Sequence, residues 1–280
     1  TCSQVILPTA PWCFGSYYPL AEFHMVPGEA DREADLLEKY IALYSSLTNG
    51  HGSGADVLFR AELAHNRGDL ENAEILSYKA VYLAENHRQS VVQLGATMLL
   101  AGIALNKADM AGWQHAITSM ERAASYTMQN TFVVRSLLDI ARGVLLFELG
   151  KQEDIADWLK DGSFSERTVL NKMIKDALYV HLNYLMLQGE VPRMMGIMQA
   201  ITPEMRAEVP PFSNLLASIM EAVGYVKMGR RETAAALLEK AMQNVLPDGL
   251  ILPLVSYSRP LDDLPGELIA EKYPAFLEDY

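Results

Sequence analysis

At 280 residues, half of them hydrophobic, the chain is long enough to bury a large core. Its formal net charge of −12, with no basic stripe or arm to offset it, excludes a surface built to hold DNA or RNA backbones. Two cysteines, Cys2 and Cys13, form no disulfide framework and have no metal-ligand spacing around them, so they read as reduced thiols of a cytoplasmic protein.

No run approaches the ~18 apolar residues that would span a bilayer, and no charged segment with an apolar core opens the chain as a secretory signal. The first residue is Thr1 rather than Met, which points to a piece of something longer. Residues 1–30 form a lead-in rich in Pro, Gly and aromatics. Pro8, Pro11, Pro19 and Pro27 forbid a long helix there. An extended segment laying Trp12, Phe14, Tyr17 and Tyr18 over the first helices is expected. Asp31 to Leu47 reads as a helix, with Leu36, Leu37, Tyr40, Ile41 and Tyr44 on one side. Gly50, Gly52 and Gly54 then crowd a loop. No strand precedes it and no Gly-Lys-Ser/Thr follows, so it predicts a helix-to-helix turn with left-handed backbone rather than a phosphate cradle.

Ala55 to Asn86 predicts two helices folded back at Gly68-Asp69. Leu70, Ala73, Leu76, Ala80, Leu83 and Ala84 recur at the helical period, while Glu71, Glu74, Tyr78 and Glu85 fill the opposite side. One such hairpin cannot bury its own apolar face and needs copies beside it. The turn recurs as Ala108-Asp109, Gly150-Lys151, Gly189-Glu190 and Gly229-Arg230, at intervals of 40, 42, 39 and 40 residues by subtraction of residue numbers. Near-constant spacing of this kind marks a helical solenoid. In the fifth copy Ala222, Tyr225, Ala234 and Ala241 occupy tetratricopeptide signature positions, as Ala61, Ala73 and Ala80 do in the first. The middle copies depart: Trp113, Ile155 and Met194 stand where the first has Ala73.

Further helices are predicted at 88–106, 109–127, 131–149 and 152–160. Ser163 with Glu166 makes a capping box for a helix running to about Gln188, a Met-rich arm spans 191–200, and Thr202-Pro203-Glu204 starts a short turn. The final pair is predicted at 212–228 and 231–246, with a last helix over Glu267 to Asp279. The expected architecture is therefore all-α: a right-handed α-α superhelix of tetratricopeptide-like hairpins of about 40 residues. A lead-in (1–30), a repeat domain (31–250) and a capping tail (251–280) divide the chain.

No catalytic constellation is present. The histidines are scattered, the carboxylate pairs Asp35/Glu38 and Glu71/Glu74 lie on helix faces, and neither Gly-x-Ser-x-Gly nor His-Glu-x-x-His occurs. No enzyme activity, cofactor or metal is expected. In such a solenoid the first helix of each hairpin lines a groove. The polar and aromatic groups on those helices are Glu62, His65, Asn66, Asn106, Tyr179 and Asn183, a set suited to hydrogen-bonding and stacking on a sugar-like or peptide-like ligand.

The stretch from Pro27 to Asn86, most specifically Thr48–Ala55 and Arg60–Glu74, resembles a segment of the large LuxR-type transcriptional regulators laid out like the maltose-regulon activator. Pro247-Asp248-Gly249-Leu250-Ile251-Leu252-Pro253 is similar to the family's segment after its last repeat. The resemblance implies the helical sensor domain of such a regulator, which binds a small-molecule effector or a regulatory protein. The family's ATPase and helix-turn-helix have no counterpart here, so DNA would be met only through a helix-turn-helix absent from this chain. A tetratricopeptide-like scaffold for protein–protein interaction is the alternative.

Overall fold

The computed structural model describes residues 18–127, 132–162, 164, 173–200 and 210–280. Among these residues every regular element is a helix and none is a strand. What sets their order is the way the helices stop. Gly68 adopts φ 84°, Ala108 54°, Gly150 68°, Gly189 73° and Gly229 73°. At each of these turns the left-handed residue donates three residues back and its successor five back: Gly68 N–H to His65 O and Asp69 N–H to Ala64 O, and likewise through Arg230 N–H to Tyr225 O. The pattern satisfies carbonyls that the helix end would leave unpaired. Five turns of one geometry lie at the predicted positions.

The elements follow in chain order. A short α1 (Leu20–Phe23) precedes α2 (Ala30–Leu47), and the glycine loop then feeds α3 (Ala55–Asn66) and α4 (Leu70–Asn86). Asn49, Gly50, Gly52 and Gly54 all have positive φ in that loop, as a tight helix-to-helix turn requires. Asp69 Oδ1 accepts from Asn72 N–H and caps α4. Next come α5 (Ser90–Asn106), α6 (Met110–Thr127), α7 (Phe132–Glu148), α8 (Asp157–Asp161), α9 (Ile174–Leu187), α10 (Val191–Ala200), α11 (Pro211–Lys227), α12 (Arg231–Val245), α13 (Leu252–Ser256) and α14 (Leu264–Lys272). Ala61, Ala73, Ala80, Ala222, Ala234 and Ala241 are all buried, as close helix approach demands.

Three expectations are corrected. The helix predicted at 152–160 is instead a 3₁₀ turn over Gln152–Asp154 followed by α8, because Ile155 and Ala156 are extended and bury Ile155 in the core. The last helix starts earlier and stops at Lys272, since Pro274 lacks an N–H and disfavours helical geometry in the residue before it. The lead-in is not wholly extended: Pro19 starts α1. The predicted aromatic cover at Trp12, Phe14 and Tyr17, both cysteines, the Ser163/Glu166 box and the Thr202-Pro203-Glu204 turn lie outside the described residues.

Residues 18–30 meet α3, α11 and the segment that follows α12. Leu20, fully buried, presents its N–H to Glu62 Oε2 on α3 at 2.7 Å, while Ser213 Oγ on α11 donates to Ala21 O at 3.0 Å. Tyr18 packs edge-on against Phe212, with ring centroids 5.6 Å apart. Beyond α12, Asp248 accepts from the N–H groups of Gly28 and Ala30, Arg67 Nε donates to Asp248 O, and Ile251 N–H donates to Asn66 O. One hydrophobic cluster accordingly runs from Leu20 to Ile269 through residues of the lead-in, the hairpins and the tail. A second is built on α5 to α9, from Leu94 to Val180. The tail therefore touches both the last hairpin and the first.

Candidate functional site

The helices that precede the turns carry their polar groups at fixed distances from the left-handed residue. Two residues before it stand Asn66, Asn106 and Glu148, the last residues of α3, α5 and α7. Six before it stand Glu62 and Asn183. The tail adds Tyr257, just past α13, and the lead-in adds Tyr18.

On α9, Asn183 Nδ2 donates to Tyr179 O at 2.8 Å, which fixes the amide and leaves Oδ1 to accept from the Tyr257 hydroxyl at 2.8 Å. The Tyr179 and Tyr257 hydroxyls lie 2.7 Å apart. With the Tyr257 proton committed to Asn183, Tyr179 is the donor of that pair. Phe147 stacks on Tyr257 at a centroid distance of 6.0 Å. On α3, Asn66 Nδ2 donates to Glu62 O at 2.8 Å and reaches the Tyr18 hydroxyl at 3.5 Å. Asn106 Nδ2 lies 3.1 Å from His65 Nε2. An amide can only donate there, so the imidazole accepts and carries its own proton on Nδ1.

Electrostatics ties these pieces together. Burial lifts Glu62 well above the usual carboxylate range, the Leu20 N–H opposing it only in part. One of its oxygens, Oε1, is buried without a hydrogen-bond partner among the described residues. Burial raises Tyr18, Tyr179 and Tyr257, and the negative charge of Glu148 adds to the rise in all three. Glu62 and Tyr179 also act on Tyr18, placing the α3 and α9 groups in one neighbourhood. Burial pushes His65 down to about 4 and Glu148 up to about 7. By surface accessibility His65 is half-buried and Glu148 is exposed.

All six predicted residues make hydrogen bonds within the protein; Asn106 is exposed, and His65 and Tyr179 are half-buried. Glu62, Asn66 and Asn183 are buried, with their amides and one carboxylate oxygen already used within the protein. The lead-in and the tail lie against those three. Sequence reasoning missed Glu148 and Tyr257.

Among the described residues no cluster of three or more His, Cys, Asp or Glu could hold a metal ion. No family model, curated protein or solved structure matches the chain. A separate cleft of about 280 Å³ opens between α4, α5 and α6, floored by Val81, Leu100 and Ala104. Its rim is tied by Lys107–Glu74 and by Gln93–Glu85, and it contains none of the six predicted residues. No helix among the described residues is long and apolar enough to cross a membrane.

Proposed function

We propose that this chain is the effector-sensing domain of a LuxR-type transcriptional regulator, a right-handed superhelix of tetratricopeptide-like hairpins that takes a small molecule or a regulatory protein into its groove. The observation that carries the reading is the join of Tyr257 from the tail to Tyr179 and Asn183 on α9. It brings aromatic and hydrogen-bonding groups from distant parts of the chain together. Five turns of one geometry support the repeat reading. On this view the domain is cytoplasmic, catalyses nothing, and affects DNA only through a helix-turn-helix outside this sequence.

The alternative, a scaffold for a partner protein, draws on a different feature. Ile75, Tyr78 and Tyr82 are 68%, 54% and 66% exposed and follow one another at helical spacing along α4.

A thermal-shift screen with sugars, small amines and peptides, followed by calorimetry, separates the two. A ligand of the groove binds the wild type and loses affinity in Asn183→Ala and Tyr179→Ala. Equal affinity in all three proteins moves the site off this cluster. Loss of peptide binding in Tyr78→Ala alone turns the assignment to the α4 face.

A further inference from the structure

The cleft between α4, α5 and α6 is a slot built from one stripe of each helix. From α5 come Gln93, Thr97, Leu100, Ala104 and, just past its end, Lys107, alternately four and three residues apart, as one face of a helix requires. The α6 wall carries Gly112, Ala116 and Ser119 in succession. Side chains this short do not close the gap to α4, so the apolar floor at Leu100 and Ala104 opens into about 280 Å³ of space. From Gln93 to Lys107 the slot runs roughly 21 Å at about 1.5 Å per helical residue, the length of about six extended residues.

The two ends of the slot differ in charge. At the turn end Lys107 stands between Glu74 of α4 and Asp109, just before α6, and its ammonium donates to Glu74. Glu71 adds a further acid one turn back on α4, so carboxylates outnumber the cation there. At the opposite end Glu85 Oε1 accepts from the Gln93 amide at 2.8 Å, and Arg122, exposed on α6, supplies positive charge. Tyr78, His115 and Ser119 place hydrogen-bonding groups along the walls between the ends. The slot also adjoins the exposed crest of α4, where Ile75, Tyr78 and Tyr82 follow one another, and Tyr78 belongs to both. A small solute would use the slot and leave the crest in water. A segment of a larger partner covers both, with its chain in the slot and flanking apolar groups on the crest.

We propose that this slot holds an extended segment of a partner protein, with a lysine or arginine of the partner at Glu74 and Asp109, a carboxylate at Arg122, and an apolar side chain on Leu100 and Ala104. This rests on the partner-binding alternative and names its site. It is separate from the Tyr179–Tyr257 cluster and takes nothing from that cluster's ligand.

The test selects linear peptides of about seven residues from a random phage-displayed library on the immobilised whole chain, and titrates the enriched ones by calorimetry. Enriched peptides carry a basic and an acidic residue about four or five positions apart, with an aliphatic or aromatic residue between them. Ser119→Trp, which fills the slot from its α6 wall, weakens them about tenfold or more, and so does Arg122→Glu. A peptide whose acidic residue is changed to lysine regains its affinity for Arg122→Glu, a rescue that misfolding cannot produce. Absence of any enriched peptide, or affinities unchanged in both Ser119→Trp and Arg122→Glu, overturns the proposal. Free lysine binding where no peptide binds overturns it as well, since the slot is then a small-molecule site. If Tyr82→Ala weakens the peptides while Ser119→Trp and Arg122→Glu do not, the slot inference falls and the partner-binding reading of the α4 face stands. If none of the three substitutions matters, both fall.

Discussion

A buried histidine keeps a proton only if neighbouring acids outweigh the cost of taking its charge out of water. His24 is fully buried, with Glu33 Oε2 2.7 Å from Nδ1 and Asp248 Oδ2 3.3 Å from Nε2. The second contact is an ion pair rather than an aligned hydrogen bond, since Nε2 has no partner of good geometry among the described residues. Burial alone would lower the pKa, but the interactions with Asp248 and Glu33 overcome it and lift the imidazole to about 9. A group raised in the folded state contributes fully below its unfolded pKa and loses that contribution as pH rises through the folded one. The window therefore runs from about 6.5, the unfolded histidine value, to about 9. Across it the wild type should lose about 3 kcal/mol of unfolding free energy, and His24→Gln should lose the slope. Urea melts at half-unit pH steps check this; a wild type no steeper than the variant refutes it.

The same scale shows what could be read in advance. Glu148 was legible, because it stands two residues before its turn as Asn66 and Asn106 do. Tyr257 was not. It lies in a tail without repeat register, and only the meeting of that tail with α9 gives its hydroxyl a role. His24 lacked a sequence signal for the same reason: its partner Asp248 is brought to it by folding, not by spacing.

Among elements, the helix stops are the most readable feature, since a left-handed residue at fixed intervals needs no tertiary knowledge. The break at Ile155 was hidden because nothing in the composition of 152–160 forbids a helix; burial of Ile155 in the second core decides it. The turns also rank themselves. Ala108 adopts φ 54° where the other four have glycine. A Cβ in that region costs roughly 1 kcal/mol. Ala108→Gly should then stabilise the protein by about 0.5–1 kcal/mol. Gly68→Ala, where a Cβ would meet no atom within 4 Å, should destabilise it by about 1 kcal/mol through backbone strain alone. Thermal melts of the two variants should move in opposite directions. Movement in the same direction would remove strain as the explanation.

At the scale of the molecule, Asp248 and Ile251 tie the region after the last hairpin to Gly28, Ala30 and Asn66. Contacts so distant in sequence form late and break only with the whole. The Ile251 amide, donating to Asn66 O at 2.9 Å, should exchange with solvent only through global unfolding, matching the slowest core amides of α3. Native-state hydrogen exchange read by mass spectrometry measures this. An Ile251 amide that exchanges while α3 stays protected would mean the tail opens by itself.

A stack with free ends can gain or lose a unit by recombination, because each new hairpin meets one neighbour and disturbs no distant partner. Here that freedom is gone. Deleting one hairpin would displace everything beyond it by about 10 Å, the packing distance of a helix, and carry Asp248 away from His24 and Arg67. The imidazolium would be left short of one acid, and the Asn66 carbonyl would lose its donor. Variation within this lineage should therefore fall in the lengths of connecting loops, with the hairpin number held constant by the ties of Asp248 to Ala30 and of Ile251 to Asn66.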